Sequence, residues 1–211
     1  MTSESDKFPT NFYALLHRMR FIKRWSLMRN SEQENLQEHS LEVAYYAHAL
    51  SLIRKEVAPE ALTLDPRLCV MLALYHDVAE IITGDLATPI KYYNDKIHTA
   101  YSEVEAEALD LLLASLPPKL RKAYQPYLQP DMEDETIAAA YRVVKAADSL
   151  SAYIKCLDER RLGNLEFSQA EASILEKLQS YKLPELDWFM THCLPTFELT
   201  LDELKGETPT K

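Results

Sequence analysis

Residues 72–85 read LALYHDVAEIITGD and place a histidine, two aspartates and a glutamate in an otherwise apolar segment. Apolar residues recur at helical spacing through this stretch, which predicts a helix with one buried face. Asp65 can cap its start with Pro66 in the first turn, and Gly84 suits the left-handed position just after its end. We expect this central helix to run unbroken to Thr83.

The polar residues of this stretch are candidate metal ligands. Glu80 follows His76 by four residues and Asp77 by three, so it shares their side of a helix. His76 and Asp77 are adjacent, and adjacent helical residues do not face the same way. Both can reach one ion only if it lies between their two directions, with other helices supplying the remaining ligands.

Two further segments offer such ligands. His39 lies in the first turn of a helix predicted from about Glu38, although such a histidine is by itself more often exposed or capping. Asp148 falls within the apolar stripe of a long helix, capped by Asp134 and ending at Gly163. An unpaired buried charge is very costly, so Asp148 needs a cation or a hydrogen-bonding partner.

The helix that starts near Glu38 carries further apolar residues at helical spacing. This spacing places Leu41, Tyr45, Leu52 and Ile53 on or near the core side. His48 falls on the same side and is interpreted as a core histidine with its hydrogen bonds satisfied.

Length and composition indicate a single, all-α globular domain. The chain has 211 residues, of which 47% are hydrophobic and 27% charged, enough to bury a sizeable core. Its three glycines argue against Rossmann and P-loop architectures, whose phosphate-binding loops need several. Clear alternation of apolar and polar residues is lacking, which disfavours a β-sandwich.

Charge and cysteine usage restrict the partners and the compartment. The net charge of −10 makes a nucleic-acid polymer an unfavourable partner, whereas a small anion can still bind beside a few basic groups. Cys69, Cys156 and Cys193 are isolated and are interpreted as reduced thiols of a cytoplasmic protein. The sequence shows neither a signal segment nor a run of apolar residues long enough to span a membrane.

Two segments could bind an anion. Residues 18–29 are locally basic and interleaved with aromatic residues, although charge alone favours a solvated helix end. The loop that contains Asp85, Thr88 and Lys91 could bind phosphate and orient water, or could be an ordinary connector of turn-forming residues.

Two imidazoles and two carboxylates make a mixed nitrogen and oxygen site for one divalent metal. The absence of thiolates disfavours a structural zinc site and fits Mn²⁺, Co²⁺, Fe²⁺ or catalytic Zn²⁺. Glu80 is then either an acid–base group or a residue that only orients a ligand.

The ordered set of His39, His76-Asp77 and Asp148 resembles the HD-domain superfamily of metal-dependent phosphohydrolases. The flanking motifs are Arg24-Trp25, Leu27-Met28-Arg29-Asn30, Glu38-His39-Ser40-Leu41, Tyr75-His76-Asp77, Glu80, Thr83-Gly84-Asp85-Leu86, Thr88-Pro89-Ile90-Lys91-Tyr92 and Lys145-Ala146-Ala147-Asp148. Together they resemble, more narrowly, the bacterial HD-domain 5′-deoxynucleotidases, from about Phe12 to Leu204.

The resemblance implies an HD-domain helical bundle and a homodimer that hydrolyses deoxyribonucleoside 5′-monophosphates with a divalent metal. Metal ligands would be His39, His76, Asp77 and Asp148, and catalysis would fall to Glu80 and Asp85. Substrate contacts would come from Arg24 to the phosphate, Trp25 to the deoxyribose, and Thr88, Lys91 and Glu133 in less defined roles.

Rival interpretations remain open. Without the resemblance, Trp25 is a core residue joining the first two helices, and Glu133 is a cap of the following helix. The chain could also be another HD phosphohydrolase acting on nucleoside triphosphates or cyclic nucleotides, or a non-catalytic nucleotide-binding module. Residues 1–9 are predicted to be a disordered tail, 10–204 the phosphohydrolase domain and 205–211 a polar tail.

Overall fold

A computed structural model describes residues 10–91 and 93–206, and these residues form a bundle of α-helices. The predicted tail at 1–9 and the last residues of the predicted polar tail, 207–211, lie outside the described residues. Within the described part of the chain, β-structure amounts to one isolated antiparallel bridge between Lys23 and Asn35. The all-α prediction is therefore confirmed.

Eleven α-helices and three short 3₁₀ segments follow one another along the described residues. The 3₁₀ segments are His17–Phe21, Leu165–Phe167 and Leu194–Glu198. The α-helices are α1 (Phe12–Leu16), α2 (Leu36–Val57), α3 (Pro66–Tyr75), α4 (Glu80–Thr83), α5 (Thr88–Lys91), α6 (Asp95–Ala114), α7 (Pro118–Leu128), α8 (Glu135–Arg161), α9 (Ser168–Ser180), α10 (Pro184–His192) and α11 (Leu201–Leu204).

The main core lies where α2, α3 and α8 pack together and α10 closes one side. Leu50 of α2, Leu72 of α3 and Leu150 of α8 are fully buried in it, with Leu186 of α10 almost so. Alanines on α8 let the helices approach closely, and each buried leucine contributes about 1.5–3 kcal/mol of hydrophobic stabilisation. The three central helices therefore form a rigid frame for the side chains at their ends.

A second apolar cluster joins the N-terminal segment to the rest of the bundle. Phe12 of α1, Leu36 of α2, Val78 after α3 and Leu112 of α6 are fully buried in it. The cluster fixes the start of α2 and the turn after α3, which both carry predicted metal ligands.

The central helix is not continuous, which corrects the prediction that it runs to Thr83. Helix α3 starts as expected, with the Asp65 side chain accepting from the Arg67 N–H and Pro66 in the first turn. It ends at Tyr75, and residues 76–79 form tightened turns before α4 begins at Glu80. Gly84 follows α4 with φ 73° and ψ 163°, so its φ is positive as expected but its ψ is extended.

Helix α2 begins at Leu36, close to the predicted start at about Glu38. Asn35 caps it, and the Glu38 carboxylate returns a hydrogen bond to the Asn35 N–H, completing a capping box. The prediction for its core side was largely wrong, because Tyr45 is 63% exposed and His48 is exposed too. Ile53 is partly buried and packs on the main core, whereas Leu41 and Leu52 are exposed.

The long helix agrees closely with the sequence analysis. Asp134 caps α8 by accepting from the N–H groups of Thr136 and Ile137, and Gly163 follows its end with a positive φ of 80°.

Within residues 10–91 and 93–206, none of the helices combines the length and apolar character needed to cross a lipid bilayer.

Candidate active site

Four predicted metal ligands converge from three parts of the bundle. His39 comes from α2, Asp148 from α8, and His76 and Asp77 from the turn after α3. One ligand atom from each lies within 4.8 Å of every other. The His39 Nε2 atom is 3.2 Å from Asp148 Oδ1, and the His76 Nε2 atom is 3.0 Å from Asp77 Oδ2.

Both imidazoles present the same free nitrogen to this cluster. The His76 Nδ1–H donates to the Ala73 carbonyl at 2.7 Å, which leaves Nε2 as the unprotonated atom of the neutral ring. The Nε2 atoms of His39 and His76 are buried and make no hydrogen bond. Buried polar atoms are rarely left unpaired, so two of them beside two carboxylates fit a divalent cation.

The break after α3 explains how adjacent residues reach one point. The N–H of His76 bonds to the Ala73 carbonyl and the N–H of Val78 to the Tyr75 carbonyl, both spanning three residues instead of four. This tighter winding changes the angle between successive side chains. His76 and Asp77 thereby both face the cluster, which a regular helix would not allow as readily.

The carboxylates dominate the electrostatics of the cluster. Burial opposes a charge on His76, but the negative charges of Asp77 and Asp148 outweigh it and raise the pKa of His76 to about 9. Burial alone would raise the pKa of Asp148. The charge of Lys145 and the contacts with the two imidazoles outweigh burial, so the pKa lies well below its usual value. The Lys145 Nζ atom lies 3.0 Å from Asp148 Oδ2. The site therefore favours a bound cation.

The two predicted catalytic carboxyls lie next to the ligands. Glu80, in the first turn of α4, is 7% exposed, and its Oε2 atom has no hydrogen-bond partner. Burial, followed by the charges of Asp77 and Asp85, raises the pKa of Glu80 to about 9. Burial also raises the pKa of Asp85, although the Arg24 guanidinium opposes the rise. In the metal-free protein, burial and these neighbouring charges favour the protonated form of Glu80.

Arg24 lies between the metal cluster and the loop before α2. Its Nη1 atom is 3.7 Å from Asp77 Oδ2, and its Nε atom is 3.5 Å from the Glu34 carboxylate. The guanidinium side chain is only 12% exposed. Arg24 is therefore a mostly buried cation beside the candidate metal site. From this position its guanidinium can donate charge-assisted hydrogen bonds to an anion that also contacts the metal.

Trp25 has an unusual backbone conformation. Its φ is 57°, in the left-handed region that bulky residues rarely adopt. The indole N–H donates to Glu34 Oε2 at 2.8 Å, and the ring lies 5.3 Å from that of Phe167. Such strain costs about 1–3 kcal/mol and is found preferentially at functional sites.

Glu34 was missed by the sequence analysis. Its carboxylate contacts Trp25 and Arg24, and its Oε1 atom is also 3.3 Å from His39 Nδ1. Burial raises the pKa of Glu34, but the hydrogen bond from His39 and the charge of Arg24 more than reverse this, so the pKa is lowered overall. A glutamate immediately before the Asn35 cap gives no sequence signal of these contacts.

A cleft of about 740 Å³ opens beside these residues. Asp148, Arg24, Trp25, Asp85 and Thr88 line it, so most of the predicted substrate and catalytic residues share one cavity. Residues of α9 line it too and were not predicted as site residues: Gln169, Ala170, Ser173, Ile174 and Lys177. The volume is within the usual range for small-molecule sites, about 300–1,000 Å³.

Two predicted substrate residues are not among those that line this cleft. Lys91, at the end of α5, donates to Glu105 Oε1 of α6 at 2.8 Å and lies 4.8 Å from the centre of the Tyr101 ring. Glu133 is exposed in the turn before α8. Asp134, and not Glu133, caps that helix.

The sequence matches a family model described as 5′-deoxynucleotidase YfbR-like over residues 11–197. A protein of Vibrio atlanticus named 5′-deoxynucleotidase is 43% identical over 198 residues, which cover 92% of this chain and 98% of that protein. A protein of the same name from Erwinia tasmaniensis is 44% identical over 199 residues, or 94% and 98% of the two chains.

Solved structures agree in fold at lower identity. An HD-domain phosphohydrolase from Listeria innocua has a TM-score of 0.76 and 21% identity, with 92% of each chain covered. An HD phosphohydrolase of cyanophage S-2L, bound to dA and one catalytic Zn²⁺ ion, has a TM-score of 0.58 and 17% identity, covering 95% of this chain and 99% of that one. These likenesses confirm the predicted HD-domain bundle.

Proposed function

Because the chain belongs to the family of YfbR-like 5′-deoxynucleotidases, we propose that it hydrolyses deoxyribonucleoside 5′-monophosphates to the deoxyribonucleoside and phosphate. The observation that carries this proposal is the cluster of two unpaired imidazole Nε2 atoms and two carboxylates beside Arg24. A bound metal ion together with a guanidinium can neutralise the charge of a transferred phosphoryl group.

We propose one divalent ion per chain, held by His39, His76, Asp77 and Asp148. Nitrogen and oxygen ligands without thiolates suit Mn²⁺, Co²⁺, Fe²⁺ or catalytic Zn²⁺. When bound, such an ion supplies positive charge to the phosphate and lowers the pKa of a coordinated water. Because a metal ligand must be deprotonated, His76 would have to give up the proton that Asp77 and Asp148 favour in the metal-free protein.

The remaining groups position the substrate and move protons. Arg24 binds the phosphate oxygens. Its guanidinium lies beside Asp77, a proposed metal ligand, so a phosphate that contacts the metal also lies within reach of Arg24. Glu80 and Asp85 are the acid–base candidates, and the high pKa of Glu80 suits a group that donates a proton to the departing 5′ oxygen. Glu80 is the more buried of the two, whereas Asp85 lines the cleft.

Trp25 contacts the deoxyribose in this proposal. Its indole N–H is already bonded to Glu34, so the ring offers the sugar only an apolar face. An apolar face gives a 2′-hydroxyl no hydrogen-bonding partner. Thr88, which lines the cleft, is the next candidate contact. Lys91 and Glu133 retain their predicted substrate roles only if α5 and the turn before α8 rearrange around the nucleotide.

We also propose a homodimer in which residues 10–204 form the catalytic domain of each copy. Leu41, Tyr45 and Leu52 form an exposed apolar stripe along α2, at helical spacing with His48 between them. Exposed apolar stripes often mark protein interfaces. Light scattering should give twice the monomer mass, and Tyr45→Glu should reduce it to the monomer mass if this stripe is the interface.

A cytoplasmic location is supported by the thiols. Cys69 and Cys156 are buried and Cys193 is partly buried, and all three are free. Reduced, buried cysteines are typical of proteins in a reducing compartment. Fractionation of cells that express the full chain should place it with cytoplasmic markers.

A substrate panel tests the function. Purified protein is freed of metal with a chelator, and Mn²⁺, Co²⁺ or Zn²⁺ is added back. Phosphate release is then measured with dAMP, dATP and a cyclic dinucleotide. We expect metal-dependent release from dAMP above all. Preferred hydrolysis of dATP or the cyclic dinucleotide would indicate another HD phosphohydrolase, and binding without turnover under any metal would indicate a non-catalytic module.

A further inference from the structure

We infer that Glu34 is the positioning residue of this site: its one carboxylate orients the metal ligand His39 and the two substrate contacts Arg24 and Trp25. The inference rests on the proposed function for the roles of Arg24 and Trp25. The geometry behind it does not, because all three contacts are seen in the structure. The Glu34 side chain is only 13% exposed, so these contacts replace water as its partners.

The backbone around Glu34 is fixed independently of its side chain. The Arg24 N–H donates to the Glu34 carbonyl at 3.1 Å, and the Leu36 N–H donates to the Ile22 carbonyl at 2.9 Å, so the loop is closed by antiparallel pairing. At its tip, the N–H of Ser31 donates to the buried carboxylate of Glu159 at 2.9 Å. These hydrogen bonds do not involve the Glu34 side chain, so its replacement leaves the loop fixed at its base and at its tip.

For His39, the carboxylate determines which ring nitrogen is free. Glu34 Oε1 can only accept, so it favours a proton on His39 Nδ1 and leaves Nε2 to face the metal cluster. Ser151 Oγ, 3.2 Å from the same Nδ1, offers a second acceptor. Loss of Glu34 should therefore weaken metal binding without abolishing it.

For Arg24, the carboxylate opposes the pull of a metal ligand. The guanidinium lies between Glu34 on its Nε side and Asp77 on its Nη1 side. Without Glu34, Arg24 would pair more closely with Asp77 and compete with the ion for that oxygen. The Glu34 carboxylate thus limits the pairing of Arg24 with Asp77.

For Trp25, the carboxylate is the acceptor of the indole N–H at 2.8 Å. The strained backbone at φ 57° gives the ring an orientation that local propensity would not select. This hydrogen bond and the Phe167 ring hold the indole beside the cleft. Removal of the acceptor frees the ring to turn.

The test compares Glu34→Ala and Glu34→Gln with a matched control, Glu32→Gln, whose side chain is exposed on the same loop. All variants carry Trp188→Phe, because the chain has two tryptophans. Trp25 is then the only tryptophan, and excitation at the red edge of the absorption band selects it over the tyrosines. Two readouts need no turnover: the Mn²⁺ dissociation constant from competition with a chelator, and the Trp25 emission wavelength of the folded protein.

We expect Glu34→Ala to weaken Mn²⁺ binding by about 10- to 100-fold, as for other groups that orient metal ligands, and to shift Trp25 emission to longer wavelength. Glutamine has nearly the same shape as glutamate but only one acceptor oxygen. Glu34→Gln can therefore accept a hydrogen bond at the position that faces the indole or at the one that faces His39, but not at both, and at least one readout should change. Glu32→Gln should change neither.

A Mn²⁺ dissociation constant within twofold of the control in Glu34→Ala, or an unshifted Trp25 emission, would overturn the inference. If Glu34→Ala does not fold, Glu34→Gln decides, and no change in both of its readouts overturns it. Failure of the proposed function is distinguishable, since a wild-type protein that releases no phosphate from dAMP still yields both readouts.

Discussion

Replacing Glu80 by glutamine should make the metal-free protein more stable while abolishing most of its activity. Glu80 is 7% exposed, its Oε2 atom makes no hydrogen bond, and its pKa is raised to about 9. Glutamine has nearly the same shape and cannot ionise. The substitution therefore removes the titration of this group with little change in packing.

The magnitude follows from linkage. A carboxyl whose folded pKa is raised contributes stability that is fully present below its unfolded value, near 4.5, and lost as pH rises through about 9. Between pH 5 and pH 7 the wild-type protein should therefore lose up to about 3 kcal/mol relative to Glu80→Gln, since each pKa unit corresponds to about 1.4 kcal/mol. Groups that do not interact with Glu80 titrate identically in both proteins and cancel.

Urea unfolding at several pH values, in the presence of a chelator, measures this difference. Glu32→Gln, on an exposed side chain, should follow the wild-type curve. With metal restored, Glu80→Gln should bind the ion but lose turnover by about 10²-fold or more, the usual contribution of a general acid or base. An identical pH dependence of stability in Glu80→Gln and wild type, or near-normal turnover, would refute the assigned role of Glu80 and leave Asp85 as the better candidate.

His76→Ala should abolish tight binding of the divalent ion, measured by elemental analysis of dialysed protein; one retained ion per chain would remove His76 from the ligand set. Trp25→Ala should lower the deoxy-to-ribo preference by about 10- to 200-fold or collapse activity on both, as expected for loss of a sugar contact of roughly 1–3 kcal/mol. An unchanged ratio at unchanged rate would make Trp25 a structural residue. Gly84→Ala should cost about 1–3 kcal/mol in urea unfolding, because its positive φ with extended ψ suits glycine; a cost near zero would contradict this account of the loop.

The residues alone indicated Asp148 as a candidate metal ligand, whereas His39 joined the proposed ligand set through the family resemblance, because a first-turn histidine is more often exposed or capping. Asp148 is the clearest case, since a carboxylate on the buried stripe of α8 implies a cation. The geometry at His76 and Asp77 was not predictable. Hydrophobic periodicity identifies a helix but does not reveal a short run of three-residue hydrogen bonds inside it.

Two other features depended on tertiary contacts. The exposed side of α2, which carries Tyr45 and His48, has the same apolar spacing as a buried side, so periodicity could not decide which one faces the core. Glu34 acquires its contacts only when antiparallel pairing brings it opposite Arg24. Such pairing in an irregular loop produces neither a helical nor a strand pattern.

The most direct test of the central claim is phosphate release from dAMP and AMP by one metal-loaded wild-type preparation. The proposed site, with a metal beside Arg24 and an apolar indole face toward the sugar, predicts rapid release from dAMP and little from AMP. Chelation should stop the reaction, and addition of a divalent metal should restore it. Equal rates on the two nucleotides, or full activity with the metal confirmed absent, would contradict the account.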